Sequence, residues 1–243
     1  MLTVNELTRY NRQIIIDGFG ETGQEKLRKT KVFVAGLGGL GSSITTYLAV
    51  SGVGTLRVVD KDKVQLSNLN RQILYGDNDI GKQKAQVARG KLKSLNLNTK
   101  IEAMVSTITD ENASDLISDS DLIVDALDNY DTRYILNKIS VRQRKPLFFG
   151  AIHGFYGMVT TIIPGKTPCL RCFVPNPPPP SVSPVLGVTA AIIGCIEATE
   201  VIKYIVGFGQ LLTERLLYID NFRFKVHEVS IKKQPSCPEC GTI

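Results

Sequence analysis

Apolar residues in the first 151 positions fall into short unbroken runs, separated by longer stretches of helical character. The runs around Val32–Ala35, Leu56–Val59, Lys100–Val105, Asp121–Asp125 and Pro146–Ala151 read as strands. Unbroken β-rich runs are the pattern of parallel strands covered on both faces. Helices are expected over 5–29, Gly39–Ser51, Asp79–Asn96, Asp110–Ser118 and from Asn129 to Arg144. Strand–helix alternation of this kind predicts a doubly wound, mainly parallel α/β sheet. Beyond residue 151 the pattern changes. Gly157–Pro164 and Leu217–Ile231 read as antiparallel strands, the second turning near Asp220–Asn221. Between them, PNPPPPSVSP (Pro175–Pro184) cannot enter a helix or sheet interior and predicts an extended, exposed loop. Leu186–Gly207 then reads as an apolar helix on which Glu197, Glu200 and Lys203 can share one face. The expected organisation is a single domain: a helical segment (1–30), a first half (31–151), and a second half (152–243) with a crossover loop over 175–187.

The stretch KVFVAGLGGLG (Lys31–Gly41) carries the first chemistry. Gly36, Gly38 and Gly41 fall in the G-x-G-x-x-G spacing directly after a strand, with Gly39 opening the helix. Glycine lets the chain turn tightly and lets its backbone approach a phosphate, and the helix N-terminus offers free N–H groups to that anion. Asp60 closes the next strand, where a carboxylate can accept the hydroxyls of a ribose. The sheet is therefore expected to be Rossmann-like and to bind a nucleotide. Downstream, Asp62, Ser67, Asn68, Asn70, Arg71 and Gln72 crowd beyond the same strand, where ligands of open α/β sheets bind. Lys84 lies in the following helix, and Asp128 and Asn129 follow the strand LIVD. Asn129 alone reads as a helix cap; Asp128 sits at the sheet edge of Gly36 and Asp60. The segment YNRQI (Tyr10–Ile14), taken by itself, is a solvated helix face.

The net charge of +6 is scattered and includes no basic run, which argues against a nucleic-acid partner. The N-terminus has charged residues and no apolar core, and the longest apolar run, Val185–Ile196, is too short to cross a bilayer, so no membrane partner is expected. A cytoplasmic setting, with reduced cysteines, is the expectation. Cys169 and Cys172 form one C-x-x-C pair, Cys237 and Cys240 another. Spacing alone leaves two separate knuckles open. One knuckle cannot complete a tetrahedron and no histidine lies near either, so a shared four-thiolate structural zinc is expected. The fifth cysteine, Cys195, sits in apolar helix context and reads as a small core residue. His153 and His227 read as core or surface residues.

Taken together, GLGGLG, Asp60, SNLNRQ, GKQK with Lys84, ALDN with Asp128 and the two C-x-x-C pairs closely resemble the MoeB/ThiF/HesA family, from Tyr10 to Cys240. The resemblance implies an ATP- and Mg²⁺-dependent enzyme, typically a homodimer, that adenylates the C-terminal glycine carboxylate of a small ubiquitin-like sulfur-carrier protein ending in Gly-Gly and releases pyrophosphate. It implies that Gly39 and Asp60 hold the nucleotide, that Asn68, Arg71 and Lys84 hold the phosphates, and that Asp128 holds magnesium. It also implies that Arg12 of the YNRQ motif reaches the phosphates of the neighbouring subunit. The nucleophile is already ionised, its pKa lying near ~3.5, so no general base is needed and cations do the work. Relatives that form a thioester keep a cysteine in the crossover loop, where this chain has Ser181 and Ser183. The expected product is thus the acyl-adenylate, with sulfur supplied by a separate donor. The competing readings are a tRNA-modifying dehydratase of the same superfamily and an NAD-dependent oxidoreductase; the second leaves Arg71, Lys84, Asp128 and the cysteine quartet without a purpose.

Overall fold

The computed structural model describes residues 1–177 and 183–241. Strands β1 (Lys31–Ala35), β2 (Thr55–Val59), β3 (Lys100–Met104), β4 (Leu122–Asp125) and β5 (Leu147–His153) pair in parallel. β6 (Tyr156–Ile162), β7 (Arg215–Asp220) and β8 (Lys225–Ser230) continue the same sheet antiparallel. The spatial order is β3-β2-β1-β4-β5-β6-β7-β8. The mixed, Rossmann-like sheet read from the sequence is therefore present.

Pleating explains why the early strands are apolar throughout. Val32 and Val34 of β1 point into one core with Leu40, Ile44 and Leu48, whereas Phe33 and Ala35 point into the opposite core with Ile117, Leu136 and Phe149. Burying a side chain such as Leu48 contributes about 1.5–3 kcal/mol. The first core is covered by α2 (Gly20–Lys29), α3 (Gly39–Val50), α4 (Lys84–Leu95) and α8 (Gly187–Val206). The second is covered by α5 (Ala113–Ile117), α6 (Tyr130–Gln143) and the short α7 (Leu170–Phe173). Because β1 pairs with β2 on one side and β4 on the other, the chain leaves the sheet in opposite directions there. The cleft at the carboxyl ends of β1, β2 and β4 is where such sheets bind ligands.

Two expectations need correction. The helix expected over 5–29 is two: α1 (Val4–Ile14) and α2, separated where Gly18 and Gly20 take positive φ of 82° and 60°. The helix expected from Asp79 starts at Lys84, because Gly81 adopts φ +86° and breaks the turn before it. Leu217–Ile231 is two strands joined by a turn, as the Asp220–Asn221 signal indicated, with the first beginning at Arg215. Among the described residues no helix is long and apolar enough to cross a membrane. Part of the proline-rich loop, including Ser181, lies outside the described residues.

Candidate functional site

A cavity of about 710 Å³ opens at the switch point between β1 and β4. Its floor is the glycine turn. Gly36 has φ +92°, a conformation that L side chains rarely adopt. A Cβ on Gly41 would collide with the carbonyl of Gly36, so α3 packs directly on the turn. At Gly38 a Cβ would meet only Gln72 Nε2 at 3.7 Å, leaving the backbone open to the cavity. The residue between the glycines is held from both sides: Leu37 N–H donates to Asp60 Oδ2 at 2.8 Å, and Tyr75 donates its hydroxyl to the Leu37 carbonyl at 3.0 Å. Asp60 also accepts the Asp62 N–H through Oδ1 at 2.8 Å. Burial pushes the Asp60 carboxyl above its ordinary value, against these two amides and Lys84, which favour the charged form. Each carboxylate oxygen keeps a lone pair for a further donor. The turn, the helix end and Asp60 thus suit a phosphate next to a ribose.

Gly36, Gly38, Gly39, Asp60, Asp62, Arg71, Lys84, Asp128 and Asn129 all line this cavity. Lys84, at the start of α4, pairs with Asp62 at 3.1 Å. Arg71 donates through Nη1 to the Ser67 carbonyl at 2.8 Å and to Asn70 Oδ1 at 3.0 Å, so these neighbours aim the guanidinium rather than line the cavity themselves. Asn68 is buried and accepts the Gln65 N–H at 3.0 Å, capping the turn that carries Arg71. Asn129 caps α6 by accepting the Thr132 N–H at 3.0 Å. Asp128 is exposed beside it, an oxygen donor of the kind hard divalent cations prefer. Arg12, exposed on α1, is not among the residues lining its own chain's cavity.

The structure adds cavity residues that the sequence did not place there, among them His153, read from the sequence as a core or surface residue. His153, Tyr156, Met158 and Tyr218 line the cavity from the antiparallel side, with the Tyr156 and Tyr218 rings stacked at 6.1 Å. Arg133 of α6 also lines the cavity and is buried beside Asp125 of β4, which does not line it, their closest charged atoms 3.8 Å apart. Glu197 of α8 is fully buried against Gly150, and neither of its oxygens has a partner among the described residues. Its neighbour on the helix, Glu200, pairs with Lys203 and accepts from Thr161 Oγ1 at 2.7 Å. The face shared by these three is thus turned inward. An arginine four residues after a helix cap, on the buried stripe with Leu136 and Asn137, was the one available signal for Arg133.

Away from the cavity, Cys169, Cys172, Cys237 and Cys240 converge, all buried, with their sulfurs within 4.8 Å of one another. Cys169 and Cys237 Sγ lie 3.6 Å apart, Cys172 and Cys240 Sγ 3.4 Å. A tetrahedral four-thiolate ion with bonds of about 2.3 Å needs sulfurs about 3.8 Å apart, so the quartet fits one metal ion. The Gln234 N–H donates to Cys172 Sγ at 3.4 Å, orienting that ligand. Two separate knuckles are excluded by this geometry. Cys195 departs from expectation: it is partly exposed, though burial still pushes its thiol up.

Comparison with known proteins agrees with this arrangement. The chain is 41% identical to the sulfur carrier protein adenylyltransferase of Thermus thermophilus, over 98% of this chain and 92% of that one. It is 40% identical to the SAMP-activating enzyme E1 of Haloferax volcanii, over 99% and 91%. The crystal structure of E. coli MccB with MccA-N7isoASN shares the fold, with a TM-score of 0.88 at 23% identity over 97% of this chain and 75% of that one. The glycine turn, the cavity and nearly all of the cysteine quartet fall inside a family model that matches residues 10–239, and the chain belongs to the ThiF family.

Proposed function

We propose that this chain, an adenylyltransferase, uses ATP and Mg²⁺ to adenylate the C-terminal glycine carboxylate of a small ubiquitin-like sulfur-carrier protein. The observation that carries the reading is the gathering of Arg71, Lys84, Asp60 and Asp128 around one glycine-rich turn in a single cavity. Relatives named for sulfur-carrier adenylation and for SAMP activation support it.

In this reading Asp60 accepts the ribose hydroxyls and the backbone from Gly38 to Leu40 faces the phosphates. Arg71 and Lys84 hold the phosphates, and Asp62 enters by holding Lys84. Asp128 would hold the magnesium, which when bound neutralises phosphate charge. A carrier carboxylate oxygen attacks the α-phosphorus, the bond from that phosphorus to the β-bridging oxygen breaks, and pyrophosphate leaves. No proton moves, because the nucleophile enters ionised. The side chains position two anions and offset their repulsion. Arg12 acts in the partner's cavity of a homodimer, consistent with its exposure outside its own. The aromatic side formed by Tyr156 and Tyr218 receives the carrier's tail. The cysteine quartet holds a structural zinc, and the whole chain acts as one adenylation domain in the cytoplasm.

The experiment is pyrophosphate release from ATP by the full chain, with a carrier ending in Gly-Gly and with the same carrier lacking its last glycine. Release with the first alone is expected. Equal release with both would refute carboxylate activation.

A further inference from the structure

The loop that presents Asp128 is held at one residue, Leu127. Leu127 donates its N–H to Asp125 Oδ1 at 3.1 Å, and its carbonyl accepts from Arg133 Nη2. The same Nη2 donates to the Gly150 carbonyl at 2.8 Å, tying the loop to β5. The Arg133 guanidinium also lies over the Phe149 ring, 4.7 Å from its centroid, and 5.4 Å from that of Tyr130. Asp125 is 0% exposed and Arg133 3%. Asp125 Oδ2 and Arg133 Nη1 have no partner among the described residues.

A buried ion pair is a poor source of stability, since well-packed apolar residues of the same volume often do as well or better. A pair whose remaining atoms go unpartnered is poorer still. What this pair does achieve is specific: it fixes the N–H and the carbonyl of Leu127, the residue before Asp128, whose own side chain is exposed. We infer that Asp125 and Arg133 are positioning residues that aim the Asp128 carboxylate at the divalent cation. The inference rests on the adenylation reading, because it needs Asp128 to hold that cation. It assigns a role to Asp125, which does not line the cavity, and to Arg133, whose bonds to Leu127 and Gly150 are made at the cavity wall.

The test uses the full-length protein with Mn²⁺ as the paramagnetic probe and α,β-methylene ATP as the nucleotide. Arg133→Lys keeps the charge and loses the forked donation. It should weaken Mn²⁺ binding in the nucleotide complex by at least about tenfold, while nucleotide affinity in EDTA stays within about threefold. Asp125→Asn keeps an acceptor for Leu127 and removes the counter-charge of Arg133, and should fall between Arg133→Lys and wild type. Equal losses with and without metal, or no loss in either, would overturn the assignment. A measurement on wild type covers the case in which the variants do not fold. The Leu127 amide should exchange with solvent as slowly as the β4 amide of Val124, and exchange at loop rates would show that there is no clamp. Wild type that binds no nucleotide at all would remove the adenylation reading itself, a result distinct from either outcome for the clamp.

Discussion

Lys84 and Asp62 are joined twice, by the ammonium to the carboxylate at 3.1 Å and by the Lys84 N–H to the Asp62 carbonyl at 2.9 Å. The lysine side chain is only 6% exposed and the aspartate side chain 54%, so a buried cation depends on a counter-ion at the cavity wall. Incoming phosphate can share or replace that counter-ion.

Asp62→Ala should therefore lower the stability of the nucleotide-free protein by about 1–2 kcal/mol, a fall in Tm of about 2–8 °C. Adding ATP should then raise Tm by more than it does in wild type, because phosphate supplies the missing charge. Thermal unfolding with and without ATP measures both. An ATP-induced rise no larger than the wild-type one would mean that the pair does not address the phosphates.

The account of the quartet predicts about one zinc per chain, bound by Cys169, Cys172, Cys237 and Cys240 and needed for stability rather than for chemistry. Elemental analysis of protein purified without added metal is decisive. Less than half an equivalent in folded protein would contradict it.

Glu197 gives the pH prediction. Burial, reinforced by Asp125 and only partly opposed by Arg133, pushes its carboxyl well above 4.5. The unfolded chain releases that proton near 4.5 while the folded chain keeps it, so the associated stability is complete below 4.5 and is lost as pH rises towards the folded value. Glu197→Gln mimics the protonated form. It should match wild type near pH 4.5 and exceed it at pH 7–8, the gap growing by up to about 1.4 kcal/mol per pH unit. Urea midpoints across pH report the gap; a constant difference would show that the carboxyl ionises in place.

If Arg12 works across a dimer interface, mixing inactive Arg12→Ala with inactive Asp128→Ala protein should restore part of the activity. Each hybrid dimer would then hold one site with both groups intact. No recovery in demonstrably mixed dimers would place Arg12 outside the partner's site.

How much of this was legible beforehand depended on whether the signal is local. The strands of the parallel half were legible because a run such as Val32–Ala35 sends alternate residues into two cores and must be apolar throughout. The breaks at Gly18, Gly20 and Gly81 were misread, since a glycine inside a helical pattern declares its φ only in the fold. Gly36, Asp60, Arg71 and Asp128 could be named because each follows a strand at the same sheet edge, whereas Lys84 was named through the family resemblance alone. Asp125, Arg133 and Glu197 could not be read as a group, because Glu197 comes from α8, far along the chain from β4 and α6, and only the fold brings the three together around Gly150. The cysteine pairs stood between these cases. Each pair is local, but only the fold brings their sulfurs within 4.8 Å.

The central claim is activation of a carrier's carboxylate as an adenylate, and isotope exchange between labelled pyrophosphate and ATP tests it most directly. Exchange should require both Mg²⁺ and the Gly-Gly carrier. It should fall by orders of magnitude in Arg71→Ala and Asp128→Ala, and it should persist almost unchanged in Cys195→Ser, whose thiol burial has pushed up. Label that never enters ATP, from wild-type enzyme that binds both ATP and carrier, would contradict the account.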